Sequence, residues 1–201
     1  MSFSLFSYDV GPVFSLWIFI VFMVGTPGPA NLLMMTVGSG YGTGAAMPFN
    51  AGLVLGKMGL NLSMAIGVGF LLTTMPVVLT ALKFLSAAVM IFLSVRTLGG
   101  AADAPELTAP PGWRSGLIVH PLNPKAWVMT VLAWTEFGPQ LGSAGEQTLI
   151  ICTSFAVAQL LLHSLWALAG QLLSQALGQS VWLNRGLVAL TCSVVLWAVL
   201  I

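Results

Sequence analysis

The sequence contains very few charged residues: Lys, Arg, Asp and Glu make up 5% of 201 positions, while hydrophobic residues make up 58%. A soluble domain carries roughly 25% charged residues, so this composition is typical of a membrane protein. Charge is also absent over long stretches, because residues 10–56 and 147–184 contain none of these four residue types. Each stretch exceeds the ~20 residues that cross a bilayer as a helix. We therefore expect the lipid bilayer to surround the chain.

Several other features are scarce, and their scarcity excludes classes of function. The net charge is only +1 and no basic run occurs, which argues against a nucleic-acid partner. Cys152 and Cys192 are isolated in apolar surroundings, as small buried hydrophobes are. His120 and His163 lie far apart in the sequence and acids are not clustered, so we predict no metal site and no cofactor. No nucleophile and base stand together either, which argues against an enzyme.

The hydrophobic segments predict six transmembrane helices. The first has no Lys or Arg ahead of it and no convincing cleavage site, so we interpret it as a retained span and not a signal peptide. The predicted helices cover, in chain order, residues 12–37, 44–72, 76–98, 114–137, 147–173 and 184–201. A polar linker at residues 99–113 separates a first three-helix unit, residues 1–98, from a second, residues 114–201.

The two units are predicted to have opposite orientations, because a repeat of three spans returns inverted. Arg96, Arg114 and Arg185 flank one set of loops and Lys83 the other, so the excess of positive charge on cytoplasmic loops places the N-terminus outside. The predicted fold is an all-α, multi-pass membrane protein with two inverted three-helix repeats in a single membrane domain.

Each predicted unit opens with a helix that proline interrupts. The first helix contains the sequence TPGPAN at residues 26–31, and the fourth contains HPLNPK at residues 120–125. Proline lacks the N–H donor of the helix and clashes with the carbonyl four residues back. In hydrocarbon such a break is tolerated only where it is buried in protein or lines a cavity. Interrupted helices at corresponding places in two halves indicate the binding site of a transporter.

The chemistry of the breaks favours an anionic ligand. Thr26 before Pro27 and Asn123 before Pro124 have the pattern of helix caps followed by proline, and helix N-termini bind carboxylates. Lys125 adds a full positive charge. The predicted substrate-binding residues are Thr26, Pro27, Gly28, Pro29, Asn31, Asn123, Pro124 and Lys125. The alternative is a pair of ordinary proline kinks, with Lys125 extending along its stem to the membrane interface.

Three more polar residues are candidates for charge balance or coupling. Lys57 lies in the middle of a predicted span, where a charge marks a functional site by default; the alternative is a lysine that reaches a headgroup or a carbonyl. Gln159 and His163 are one helical turn apart and so share a face. His163 has the chemistry of a proton shuttle, although a hydrogen-bonded structural histidine explains it equally well. His120, just before the second break, has the same two interpretations.

The chain resembles the LysE/RhtB family of bacterial amino-acid exporters in five sequence motifs. The motifs are Thr26-Pro27-Gly28-Pro29, Gly52-Leu53-Val54-Leu55-Gly56, Leu82-Lys83-Phe84-Leu85-Ser86-Ala87-Ala88, Gly116-Leu117 and Leu122-Asn123-Pro124-Lys125-Ala126. The resemblance implies a six-helix inner-membrane protein that exports small amino acids or related metabolites. It further implies coupling to the proton gradient and a homodimer.

Two positions depart from the family pattern. Lys57 stands where many relatives carry an acid, and Gln159 replaces the acid of helix 5. These changes disfavour a cationic substrate and proton coupling through a carboxylate, and they favour a neutral or acidic amino acid or another organic anion. We therefore predict a secondary transporter that alternates access around the two breaks, with Lys57 modulating charge. The alternative is a non-transporting assembly partner that kept the scaffold and lost the acids.

Overall fold

The computed structural model describes residues 10–67, 75–96, 109–177 and 181–200. These residues form eight α-helices and no β-strand. The helices are α1 (Gly11–Gly25), α2 (Pro29–Tyr41), α3 (Thr43–Ala65), α4 (Pro76–Arg96), α5 (Trp113–Val119), α6 (Pro124–Leu132), α7 (Ala144–Leu177) and α8 (Val181–Leu200). A π-helical segment, Ala133–Phe137, and a 3-10 turn, Gly138–Gln140, continue the chain beyond α6. The prediction of an all-helical protein is confirmed.

Both predicted breaks divide a helix into two. α1 and α2 replace the first predicted helix and meet at an angle of 57°, and α5 and α6 replace the fourth. The predicted second helix, residues 44–72, ends instead at Ala65, and residues 68–74 lie outside the described part. Most of the predicted linker, residues 99–108, and the final residue of the sixth helix also lie outside it. The six spans, the inverted repeat and the orientation remain predictions.

Length and hydropathy identify two candidate spans in the described residues. α7, with 34 residues, is long and apolar enough to cross a membrane by itself. α1 and α2 satisfy the same criterion only as a pair, if the bent pair forms one span. The proline-broken first helix is therefore apolar enough to cross as a unit in spite of its interruption.

The long helix α7 packs against α1, α2 and α3, and glycine permits its closest approach. A Cβ atom on Gly38 of α2 would overlap the backbone of Ala167 in α7, and one on Gly170 would overlap the carbonyl of Met35. Small residues let the backbones of membrane helices approach closely. The crossing of α2 over α7 therefore requires glycine on both helices.

A second glycine crossing joins α3 to α5, as the Gly52-x-x-x-Gly56 pattern predicts. A Cβ atom on Gly52 would overlap the carbonyl of Trp113, and one on Gly56 would overlap the carbonyl of Leu117. Gly116 in α5 lies equally close to the backbone of α3. This crossing holds the segment before the second break directly against α3.

The turn between α2 and α3 is shorter than the sequence predicts. The glycine-rich residues 38–43 are expected to form it, but α2 continues to Tyr41 and only Gly42 separates the two helices. Gly42 has a φ of 84°, a left-handed conformation that glycine adopts without strain. Its backbone N–H donates to the carbonyl of Gly38 at 2.9 Å, so the last turn of α2 is complete before the chain reverses.

The crossing of α3 over α5 predicts opposite effects of alanine at two glycines of one helix. Gly52→Ala should lower the free energy of unfolding by about 1–3 kcal/mol, the usual cost of overpacking. Gly59→Ala is the matched control, because nothing lies within 4 Å of the added Cβ atom, and it should leave stability unchanged or raise it. Unfolding in detergent measures both. Equal stability of the two variants would contradict the close crossing.

Candidate functional site

At the first break, side chains replace the hydrogen-bond donors that proline removes. In an unbroken helix the carbonyls of Met23 and Gly25 would accept from the residues four positions on, but both of those residues are prolines. The hydroxyl of Thr26 donates to the carbonyl of Met23 at 3.1 Å. The indole Nε1 of Trp166, in α7, donates to the carbonyl of Gly25 at 3.3 Å. Two of the last carbonyls of α1 are satisfied in this way.

Asn31 satisfies the other two carbonyls at the end of α1. Its Nδ2 donates to the carbonyl of Val24 at 2.7 Å and to the carbonyl of Thr26 at 2.8 Å. An amide nitrogen has two hydrogens, so both are used, and the side chain is buried with 3% exposure. Asn31 therefore holds the break together with its nitrogen, and only its Oδ1 remains for other partners.

The predicted cap at Thr26 is wrong. Gly28 occupies the N-cap position of α2, with extended backbone (φ −169°, ψ 171°), and no side chain of the described residues caps this helix. Thr26 lies two residues before Gly28. Its hydroxyl instead donates to the carbonyl of Met23, which has no backbone donor because Pro27 has no N–H. The first N–H groups of α2 thus have no side-chain acceptor in the part of the chain that the structure describes.

The second break has the predicted cap. Oδ1 of Asn123 accepts from the backbone N–H of Lys125 at 3.0 Å, and Pro124 is the first residue of α6. The indole Nε1 of Trp127 donates to the carbonyl of Pro121 at 2.8 Å, which fixes the turn before the cap. The backbone N–H of Asn123 donates to the carbonyl of His120 at 3.0 Å, because Pro124 offers no donor there.

The two breaks lie in direct contact through Lys125. Its Nζ donates to the carbonyl of Thr26 at 3.0 Å and to the Thr26 hydroxyl at 2.9 Å. A Cβ atom on Gly28 would lie 3.2 Å from the same Nζ, so glycine gives the lysine its room. Lys125 is half-buried and bonded to the opposite break, which argues against the alternative that it extends to the membrane interface.

A small cavity lies where the two breaks meet α7. Its volume is about 20 Å³, about enough for one water molecule, whereas ligand pockets enclose about 300–1,000 Å³. The polar residues that line it are Asn31, His120, Asn123, Lys125, Gln159 and His163. Six residues from three separate segments of the chain therefore meet at one polar centre, whose cavity is small.

His120, Gln159 and His163 form a buried cluster on one side of this cavity. The two imidazole rings are stacked with centroids 5.6 Å apart and an interplanar angle of 21°, and Nε2 of Gln159 lies 3.3 Å from Nε2 of His120. Three atoms of the cluster have no partner in the described residues: Nδ1 of His120, Oε1 of Gln159 and Nδ1 of His163. The helical spacing paired Gln159 with His163, but nothing in the sequence placed His120 beside them.

Lys57 lies outside the residues that line the cavity. It is buried with 1% exposure, and its Nζ donates to the carbonyl of Ala126 at 3.1 Å and to the hydroxyl of Thr130 at 2.6 Å. The same nitrogen lies 3.9 Å from the ring centroid of Phe155, within the range of a cation–π contact. Lys57 therefore bonds to a backbone carbonyl, as the alternative interpretation of this residue expects.

Sequence reasoning missed the residues that support the site from other helices, chiefly Trp166, Thr130 and Phe155. Two prolines in a span do indicate that carbonyls need other donors. Which distant side chain supplies a donor depends on helix packing, so no local sequence signal identifies Trp166.

The fold and the site together define a class of protein. A strongly apolar, all-helical chain in which two interrupted helices meet at a polar centre has the organisation of membrane transport proteins. The chain belongs to the LysE type translocator family, whose sequence pattern matches residues 21–200. The resemblance inferred from the sequence motifs is confirmed, and the protein is a membrane protein of a transporter family.

The chain is also similar to an uncharacterised membrane protein of Pseudomonas aeruginosa strain PAO1. The two are 29% identical over 129 residues, which cover 59% of this chain and 60% of the relative. The match therefore spans less than two thirds of the relative's length. No solved structure matches the chain.

The role of Asn31 in holding the break predicts a loss of stability when its donors are removed. Asn31→Leu keeps a similar size but leaves the carbonyl of Val24 without a partner, which should cost about 1–3 kcal/mol in unfolding free energy. Gln175→Leu removes an exposed amide from α7 and serves as the matched control. Chemical unfolding in detergent compares the two, and equal effects would show that Asn31 does not support the break.

Proposed function

We propose that this protein is a secondary transporter that exports amino acids or related small metabolites by alternating access about its two helix breaks. The observation that supports this most directly is the contact of Lys125 with Thr26, which joins the two breaks beside a polar cavity. Membership of a translocator family supports movement of a solute. The position of the cavity supports the two breaks as the place where that solute binds.

A carboxylate fits the side of the cavity that the two breaks form. The N-terminus of α2 has no side-chain cap and carries a partial positive charge, so it can accept an anion. Lys125 presents a full positive charge to the same cavity, and one of its three ammonium hydrogens is not used by Thr26. Asn123 positions Lys125 by capping α6. These are the groups that would bind the substrate's carboxylate.

The cavity is too small for an amino acid in the conformation that the structure describes. A solute of amino-acid size requires more room than about 20 Å³, so the two breaks must separate for binding. The hydrogen bonds of Lys125 with Thr26 are the contact that would open, and a substrate carboxylate can take the place of Thr26 on the lysine. The loss of these bonds on opening is then compensated by charge-assisted bonds to the substrate.

The charges at the site favour a neutral or acidic amino acid, or another organic anion. The polar residues that line the cavity include one lysine and no carboxylate, so a cationic side chain finds no partner among them. Coupling to protons belongs to the same proposal, with His163 and His120 as the titratable groups at the cavity. The inner-membrane location and the homodimer are proposed on the family resemblance.

Loss of the positive charge at the cavity should abolish most transport. Lys125→Met should lower efflux at least about tenfold, since hydrogen bonds to charged groups contribute about 1.5–3 kcal/mol. Arg185→Met is the matched control, because that arginine is exposed and its guanidinium contacts Trp182 at 5.4 Å. Metabolite profiling of the medium from cells with and without the protein identifies substrates, and efflux from loaded vesicles measures the variants.

Unchanged efflux in Lys125→Met would contradict the proposed carboxylate site. If the unaltered protein moves no solute in either assay, the alternative of a non-transporting assembly partner is favoured instead.

Removal of the amino group of Lys57 should change substrate preference more than the rate of efflux. Lys57 binds the carbonyl of Ala126, the neighbour of Lys125, so its charge acts on the cavity through the first turn of α6. Lys57→Met should reduce efflux of acidic amino acids several-fold relative to neutral ones, whereas Lys57→Arg, which keeps the charge, should preserve the ratio. Competition between labelled substrates in vesicles measures it. An identical ratio and pH profile in Lys57→Met would exclude a role in selectivity.

A further inference from the structure

The two sides of the cavity differ in chemistry. The side formed by the breaks is positive, with the uncapped N-terminus of α2 and the ammonium group of Lys125. The side formed by α7 and the turn before α6 consists of Gln159, His163 and His120, which are amide and imidazole groups. A carboxylate on the first side therefore leaves the remainder of a ligand facing the second.

Gln159 offers an acceptor atom that the described part of the protein does not use. The side chain is fully buried, and its Oε1 has no hydrogen-bond partner there. Nε2 of Gln159 lies 3.3 Å from Nε2 of His120, so the amide nitrogen faces the imidazole. Oε1 is the amide atom that has no partner in the described residues.

A buried acceptor without a partner is costly, and native proteins contain few of them. Gln159 lines the same cavity of about 20 Å³ as Lys125, so one small ligand can reach both residues. The group that reaches Oε1 must also be a hydrogen-bond donor, because Oε1 can only accept. An N–H or O–H on the carbon next to the carboxylate satisfies both conditions.

We infer that Gln159 determines specificity by accepting a hydrogen bond from a donor group adjacent to the substrate's carboxylate. This inference rests on the proposed carboxylate site at Lys125. The ligands that fit are α-amino acids, which present an ammonium group, and α-hydroxy acids, which present a hydroxyl. A simple carboxylic acid of the same size occupies the positive side but leaves Oε1 of Gln159 unpaired, and it binds more weakly for that reason.

Ligands that differ only in this donor test the inference. The protein in detergent is titrated with two sets of ligands. The first set is L-alanine, L-lactate and propionate, and the second is L-leucine, 2-hydroxy-4-methylpentanoate and 4-methylpentanoate. The thermal stabilisation that each ligand produces reports its affinity. In at least one set, the amino acid or the hydroxy acid should have an affinity at least about tenfold higher than that of the acid without a donor. This is the factor expected when a buried acceptor stays unpaired. The order of amino and hydroxy acid identifies which donor the site prefers.

Substitution of Gln159 separates its role from that of Lys125. Gln159→Met, of similar length, should weaken only the donor-bearing ligands and so abolish the preference. Unchanged affinity of Gln159→Met for propionate and 4-methylpentanoate would show that the loss is not a general folding defect. Lys125→Met should weaken all members of a set alike, because each carries the carboxylate.

Equal affinity within every set in the unaltered protein would overturn the inference, as would a preference that survives Gln159→Met. In either case, if Lys125→Met binds every ligand of a set more weakly, the proposed carboxylate site is still supported. If Lys125→Met has no effect while Gln159→Met abolishes the preference, the proposed carboxylate site fails and Gln159 alone is supported. Absence of binding by every ligand to the unaltered protein would overturn both.

Discussion

The hydrogen bonds of Lys125 with Thr26 are the interaction on which the centre of this protein depends. A helix interrupted by two prolines leaves carbonyls without donors, and hydrocarbon supplies no water to satisfy them. Lys125 supplies donors from the start of α6 to the end of α1, 99 positions away in the chain. One side chain thereby joins the first break to the second. The same bonds use two of the three hydrogens of the ammonium group.

Close glycine crossings bring the two breaks to the same place. Gly38 and Gly170 set the approach of α2 to α7, and Gly52, Gly56 and Gly116 set the approach of α3 to α5. Each crossing involves a helix that adjoins a break, because α2 begins directly after the first break and α5 ends directly before the second. The polar centre is therefore supported by backbone contact between helices, which tolerates little change in side-chain volume.

Lys125 and Lys57 differ in their burial and in their hydrogen-bond partners. Lys125 is half-buried and lines the cavity, and its partners are atoms of the opposite break, which can separate. Lys57 is fully buried and joins α3 to α6 and α7 through Ala126, Thr130 and Phe155. Its amino group lies behind the cavity, whereas that of Lys125 lies among the residues that line it. Both are unusual in a membrane helix, where an intramembrane lysine is costly without partners.

The sequence by itself determined the helical class, the two breaks and the cap at Asn123, because composition, proline and capping act within a few residues of the chain. The close crossing at Gly52 was equally predictable, since the spacing of small residues on a helix face is local. Tertiary structure decided the rest. Gly28 and not Thr26 occupies the N-cap position of α2, and the donors from Trp166 and Lys125 reach the first break only through helix packing. The clustering of His120 with Gln159, and the acceptor atom that this leaves unused, likewise depends on contacts between residues far apart in the chain.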